Sequence, residues 1–302
     1  MSVLTASAEP TPKPRVLAQA PEELTNGRLQ RLGEGIGKVV YASEHWVVKR
    51  KRSPSEIVAL IALWKLLRKF ERWLPFGLGA KWLERPSRQI RFLRIMLQGI
   101  VLIVPRSVWF TSHIGEVWRV YRKRDLRGEK LARVYLAGTP LVPERITFPP
   151  ARIKVGAWPG WLMASEAIER VDETLYHRLR TLAGTGRFAE LERWLNRFLD
   201  TRQAGWERGI FSLDAHLKNF GVCGDRVVLL DTGGLTDDWS EIERHLALED
   251  VVTEPHIQLG LGPLLGSRPD IADRFNKRWK AAVNPSAVRE RWPTDPDNGR
   301  KL

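Results

Sequence analysis

Three polar side chains sit at fixed intervals in the stretch GIFSLDAHLKNFGVCGDRVVLLDTGG: Asp214, then Asn219 five residues later, then Asp231 after twelve more. Between the last two, Phe220-Gly221-Val222 and RVVLL read as short apolar strands turned at Gly224-Asp225. Such a hairpin returns Asn219 and Asp231 to the same end, where their oxygens can share a hard cation. Asp214, in the loop before them, faces the same space. Two metal-binding oxygens beside a proton-accepting carboxylate suit phosphoryl transfer, whose catalysis is mostly positioning and charge stabilisation. Each residue also has an ordinary role open to it: Asp214 caps a turn, Asn219 begins a strand, and Asp231 with its glycines ends one.

The elements that must position these residues are legible from pattern. RLGEGIGKVVYASEHWVVKRK (31–51) reads as a hairpin, with Gly33, Gly35 and Gly37 in or beside the first strand and Ser43-Glu44-His45 as the later connection. Lys49 lies on the returning strand, in register with Val47, and so is expected to face inward. S-P-S-E at 53–56 is a helix start, with Ser53 as cap and Glu56 completing a capping box. That helix is expected to run to about Trp73, and a second, Arg-lined helix to begin near Pro86. GEKLARVYLAG reads as a helix stopped at Gly138. RIKVGAW and WLMASEAI form two strands joined at Pro159-Gly160. Two helices, over ETLYHRLRTLAG and RFAELERWLNRFLDTRQAGWERG, precede the Asp214 loop, and helix follows the hairpin to the end.

Composition bounds the setting. A hydrophobic content of 43% with 28% charged residues describes a globular chain, and the single Cys223 excludes an intrachain disulfide. Cys223 itself reads as a small buried residue near the hairpin turn. No signal-peptide pattern opens the sequence, so a cytoplasmic protein is expected, with residues 1–26 a mobile leader and 293–302 a flexible tail. The net charge is +14, and residues 49–94 hold thirteen Lys or Arg against three Glu. Such a segment suits an anionic membrane surface, phosphorylated sugars or, less well, nucleic acid; a solvated helix face or a helical pair packed on the body are the plainer alternatives. The uncharged run from Ile95 to Val104 is too short to span a bilayer.

The Asp214-Asn219-Asp231 spacing, with Gly233 two residues on, resembles the catalytic loop and metal-binding turn of the protein-kinase-like superfamily. The glycine hairpin (Gly33, Gly35, Gly37) and Lys49 resemble its phosphate-covering loop and strand lysine. Within that superfamily the chain looks most like bacterial lipopolysaccharide-core (Kdo or heptose) kinases and related small kinase-like proteins. The resemblance covers roughly 31–52 and 123–245. It departs from the family at Ser212-Leu213, where His-Arg is usual, and at Thr232, where Phe is usual.

The order of elements, strand-rich first and helix-rich afterwards, suggests an α+β protein with two lobes. The resemblance implies the same fold, with a strand-rich N-lobe over 27–164 and a helical C-lobe over 165–292. The N-lobe would carry a helical insertion over about 53–122, because eighty positions separate Lys49 from the helix glutamate, Glu129. It implies ATP and Mg²⁺, with Lys49 on the donor phosphates and held by Glu129, Asn219 and Asp231 on the metal, and Asp214 as base. The hinge would lie at Ala164-Ser165-Glu166-Ala167, on the nucleotide. His216 and Lys218 are candidates for holding the transferred phosphate. The acceptor would be a small-molecule, sugar or lipid-linked hydroxyl, reached from the cytoplasm or the inner membrane face. A kinase-like binding module without turnover, or a membrane-surface or nucleic-acid binder using 49–94, stand as alternatives.

Overall fold

Alternating burial builds the first sheet. The computed structural model describes residues 15–34, 37–53, 55–57, 107–156, 160–248 and 255–293. Strands β1 (Arg15–Val16), β2 (Arg28–Glu34), β3 (Lys38–Ala42), β4 (Trp46–Lys51), β5 (Arg145–Val155) and β6 (Trp161–Glu169) form one six-stranded sheet in the order β1-β5-β2-β3-β4-β6. A further β5–β6 pairing closes β2, β3, β4, β6 and β5 into a ring. Closure removes the strand edges that an open sheet would expose. Val39, Tyr41, Val48, Ile146, Ile153 and Val155 point into the ring and form its core with Leu24 and Leu29. A short helix, α1 (Glu22–Thr25), brings in Leu24, which is fully buried.

A 29-residue helix, α2 (Ser107–Tyr135), connects the two halves of this sheet in sequence and packs against the second part of the molecule. It ends where expected: Gly138 takes φ 72°, a conformation that favours glycine, and Pro140 follows.

The second part is mainly helical. After β7 (Glu173–Thr174) come α3 (Leu175–Gly184) and α4 (Phe188–Trp206), then β8 (Phe211–Ser212) and a 3₁₀ turn over Leu217–Asn219. The hairpin β9 (Phe220–Cys223) and β10 (Arg226–Leu229) precedes β11 (Leu235–Thr236). Helices α5 (Trp239–Leu246), α6 (Pro255–Gln258), α7 (Gly262–Leu265), α8 (Pro269–Ala282) and α9 (Pro285–Arg291) complete it. Thr174 caps α3 by accepting the His177 amide at 3.3 Å. On α4 the buried residues Leu191, Trp194, Leu195, Phe198, Arg202 and Trp206 follow helical spacing. Phe198 anchors the core between Phe220, edge-on at 4.8 Å, and Trp279, stacked at 5.9 Å. Arg202 is the one charge on this apolar stripe.

Strands grouped first and helices afterwards make a mixed α+β protein with a strand-rich sheet, as the pattern implied. Several boundaries differ from expectation. The leader read over 1–26 is part of the fold from Arg15 onward, because β1 pairs with β5 and Leu24 is buried. Glu129 sits on a helix that begins at Ser107, inside the stretch assigned to an insertion. The hinge placed at 164–167 falls within β6, because that strand is held on both sides, by β4 through Glu169 and by β5 through Ile168. The chain leaves the sheet after Glu169. Cys223 is half-buried at the hairpin turn and donates to Glu169 Oε1 at 3.1 Å.

The capping box forms as read: the Ser53 amide donates to Glu56 Oε2 at 2.9 Å and the Glu56 amide to Ser53 Oγ at 3.2 Å. Arg50 adds a bidentate pair to Glu56, at 3.0 and 2.9 Å. The rest of the helix expected to run to about Trp73, and the Arg-lined helix expected from near Pro86, fall on 58–106, outside the described residues. Replacing Glu56 by Ala should lower stability by about 1–2 kcal/mol in chemical denaturation, since cap and pair go together. An unchanged midpoint would show that neither contact forms in solution.

Candidate functional site

The β9–β10 hairpin does what the spacing asked of it. Phe220 pairs with Leu229 and Val222 with Val227, so Asn219 and the residues after Leu229 meet at one end. The Asn219 carbonyl accepts both the Leu230 amide, at 2.8 Å, and the Asp231 amide, at 3.3 Å. Asn219 also reaches back: its Nδ2 donates to the Asp214 carbonyl at 3.4 Å. Ser212 Oγ donates to the same carbonyl at 3.1 Å, and the Leu213 amide donates to the Gly234 carbonyl at 2.9 Å. Asp214, Asn219 and Asp231 therefore belong to one hydrogen-bonded unit.

The side-chain oxygens left over suit a hard cation. Asp231 Oδ1 accepts the Gly233 amide at 3.0 Å, in a turn that fixes the carboxylate. Asn219 Nδ2 is committed to Asp214, which leaves Asn219 Oδ1 and Asp231 Oδ2 without a hydrogen bond among the described residues. Two oxygens fit Mg²⁺, which takes few protein ligands and completes its octahedron with phosphate and water oxygens. Among the described residues no group of three or more His, Cys, Asp or Glu converges as a metal site.

Lys49 reaches this unit from the sheet. Its Nζ donates to the Leu230 carbonyl at 3.0 Å, one residue before Asp231, although its residue surface is exposed where the inward register suggested burial. Desolvation of the ammonium, then the charge of Lys38, push its pKa down to about 8, against the pull of Asp231. Water reaches the side chain, so that field is partly screened.

Glu129 is not engaged as the resemblance implied. Its carboxylate takes Lys38 Nζ at 3.0 Å and Lys51 Nζ at 2.8 Å. Lys38 bridges onward to Asp125 at 2.7 Å. Strand alternation explains this arrangement: Lys49 and Lys51 share one face of β4, and Lys38 is paired directly with Lys51. Burial opposes the Glu129 charge, yet the Lys51 hydrogen bond and the Lys38 charge bring its carboxyl from 4.5 to about 2. Burial lowers Lys38 as well, but Asp125 and Glu129 outweigh it and raise the pKa. The basic run at 49–52 is thus spent internally: Lys49 on Leu230, Arg50 on Glu56, Lys51 on Glu129, and Arg52 buried.

The helix that carries Glu129 touches the 231–233 turn. A Cβ on Gly128 would stand 1.9 Å from the Thr232 carbonyl oxygen and 3.2 Å from Gly233 Cα. Only glycine permits that approach.

The remaining candidates are distributed. Glu166 accepts from Arg145 at 3.0 Å and Arg133 at 3.2 Å, in mid-strand. Gly33 lies at a register shift in β2, Gly37 is buried and its carbonyl accepts the Arg52 amide at 2.8 Å, and Gly35 lies outside the described residues. His216 Nδ1 accepts the Lys218 amide at 3.2 Å, and Lys218 Nζ lies 5.2 Å from the Tyr176 ring centroid. Sequence reasoning missed Lys38, Asp125, Gly128 and Arg202. Asp125 and Glu129 at helical spacing were the one available sign of the carboxylate pair.

Comparison with models of protein families, with curated proteins and with solved structures finds no match to this chain.

Two measurements check this geometry. Gly128→Ala should destabilise the fold by more than about 2 kcal/mol, because the added methyl meets backbone and not a movable side chain. Wild-type stability in that variant would mean α2 does not contact the turn. The second is a pH series. Because Glu129 is depressed, its contribution is present above its ordinary 4.5 and disappears as pH falls towards 2. Lys38, being raised, keeps its share up to 10.5 and loses it only above that. The acid loss attributable to Glu129 should be at most about 3 kcal/mol. Glu129→Gln should flatten that limb, and an unchanged pH profile would contradict the pairing.

Proposed function

We propose that the protein is an ATP- and Mg²⁺-dependent phosphotransferase with a hydroxyl acceptor, built as a two-lobed kinase-like fold. The closed sheet with α2 would form the smaller lobe and the helical part the larger. The observation that supports this most is the hydrogen-bonded unit of Asp214, Asn219 and Asp231, met by Lys49 from the sheet. These are four residues of the types that phosphoryl transfer uses, drawn to one place from positions up to 182 apart.

In this reading Lys49 contacts the donor phosphates, and a phosphate anion beside it restores the charge that desolvation disfavours. Asn219 and Asp231 would hold Mg²⁺ through Oδ1 and Oδ2. Bound there, the cation supplies neutralisation of phosphate charge. Asp214 orients the acceptor hydroxyl and takes its proton; its own loop is fixed by Asn219, Ser212 and Gly234. The residues 33–37 would cover the donor. The acceptor class, a sugar, small-molecule or lipid-linked hydroxyl, follows from the resemblance and the basic segment.

A second reading, a nucleotide-holding module without turnover, is favoured by one observation. Glu129 is committed to Lys38 and Lys51, so Lys49 has a carbonyl and not a carboxylate as its partner. Thermal unfolding with ATP and Mg²⁺, followed by ATP consumption, separates the two. Stabilisation with turnover is expected; stabilisation alone favours the module, and neither removes both. Asp214→Ala should lower phosphotransfer by about 100-fold or more while the ATP·Mg²⁺ shift persists. Asp231→Ala should abolish the Mg²⁺ dependence of that shift. Full turnover in Asp214→Ala would remove its role as base.

A further inference from the structure

The outward face of α2 carries charge of one sign. Between Arg119 and Val134 the exposed residues described are seven Arg or Lys and three aliphatics, with no carboxylate among them. The two acids of this stretch, Asp125 and Glu129, turn the other way and are held by Lys38. Arg127 and Arg133 have acidic partners on neighbouring elements. Arg119, Arg122, Lys123, Arg124 and Lys130 make no ion pair among the described residues.

An exposed helix face ordinarily mixes both signs, because like charges three or four residues apart repel and weaken the helix. Here Arg119 stands four residues from Lys123, and Arg127 three from Lys130. That repulsion is built into the folded chain, and an anion from outside relieves it. The longest segment outside the described residues is of the same sign as this face: 58–106 holds ten Lys or Arg against two Glu.

The aliphatic residues discriminate among anions. Val120, Leu126 and Val134 are 68%, 47% and 39% exposed. Leu126 lies between Lys123 and Lys130, about one turn from each, in the middle of the charged face. Beyond arginine, base edges are read by amides and hydroxyls, and bases stack on aromatic rings. The exposed residues of this face include none of the three. Methyl groups among cations match a bilayer interface instead. There Lys and Arg stems run out to the headgroups while aliphatic side chains enter the acyl boundary.

We propose that this face of α2 docks the protein on an anionic lipid bilayer. Phosphate headgroups meet Arg119, Arg122, Lys123 and Lys130, and Leu126 enters the interface between them. Residues two apart on a helix lie about 200° around it, so Leu126 faces away from Gly128 and the 231–233 turn. A bilayer docked here stands about one helix diameter, about 10 Å, beyond that turn. Docking requires no activity at the Asp214 site.

Flotation of the full chain with vesicles tests this. Vesicles of roughly one part phosphatidylglycerol to two of phosphatidylcholine should carry the protein at about 0.15 M salt, and phosphatidylcholine alone should not. Arg119→Gln, Lys123→Gln and Lys130→Gln together should weaken binding on the order of 100-fold, roughly fivefold for each cation, with Tm unchanged. Leu126→Ser should weaken it about threefold or more at the same net charge. Arg28→Gln, Arg152→Gln and Lys154→Gln remove equal charge from exposed positions on the sheet, and should cost less than about fivefold. Absent binding, equal binding to the two vesicle types, or an α2 triple that binds like wild type overturns the proposal. So does an equal loss in the two triples, or unchanged affinity in Leu126→Ser. Displacement from the vesicles by random-sequence duplex DNA at equal phosphate concentration assigns the face to nucleic acid and overturns it as well.

Discussion

Helix α2 approaches the 231–233 turn so closely that a Cβ at position 128 would lie 1.9 Å from a backbone oxygen, and this contact ties together everything around it. Residues one turn either way inherit their places from it. Asp125 and Glu129 lie on the same helical face, three and one residues from Gly128, and both turn towards Lys38. Arg127 reaches the other way, to Asp237 at 3.0 Å and Glu241 at 3.3 Å, which clamps α2 to β11 and α5. Those exposed pairs contribute little individually. The glycine contact carries the positional information, since backbone against backbone has no rotamer with which to yield.

Around that contact the charges are arranged by exclusion. Asp125 and Glu129 take Lys38 and Lys51, which leaves Lys49 with a carbonyl partner and a pKa near 8. An ammonium held where desolvation disfavours it is better satisfied by an added anion than by what the protein supplies. Arg202 repeats the situation more severely, because its Nε and Nη1 are fully enclosed without a hydrogen-bond partner.

Local pattern made much of this legible. The Asp214-Asn219-Asp231 interval carried its own geometry, because a hairpin with a tight turn leaves no choice about which residues meet. The capping box at Ser53 and Glu56 and the glycine stop at Gly138 were equally local, and both formed. What sequence could not yield was pairing at distance. Lys38 and Glu129 are 91 residues apart, and nothing in either neighbourhood distinguishes Lys38 from Lys49 as the partner. Gly128 looked like an ordinary helix glycine, with its reason a hundred residues away. Arg202 fell on an apolar stripe and was passed over, although a charge at that spacing is the kind of local inconsistency that accompanies a site. The closure of the sheet, through β5 pairing with both β2 and β6, was likewise a tertiary outcome.

The central claim is that Asn219 and Asp231 form a metal site facing a nucleotide held by Lys49. Diffraction from crystals grown with a non-hydrolysable ATP analogue and Mn²⁺ in place of Mg²⁺ tests it most directly, because anomalous scattering locates the ion independently of the protein. The account predicts an anomalous peak at about 2.1 Å from both Asn219 Oδ1 and Asp231 Oδ2, with the phosphates within reach of Lys49 Nζ. Nucleotide bound elsewhere, or an ion that touches neither residue, would contradict it.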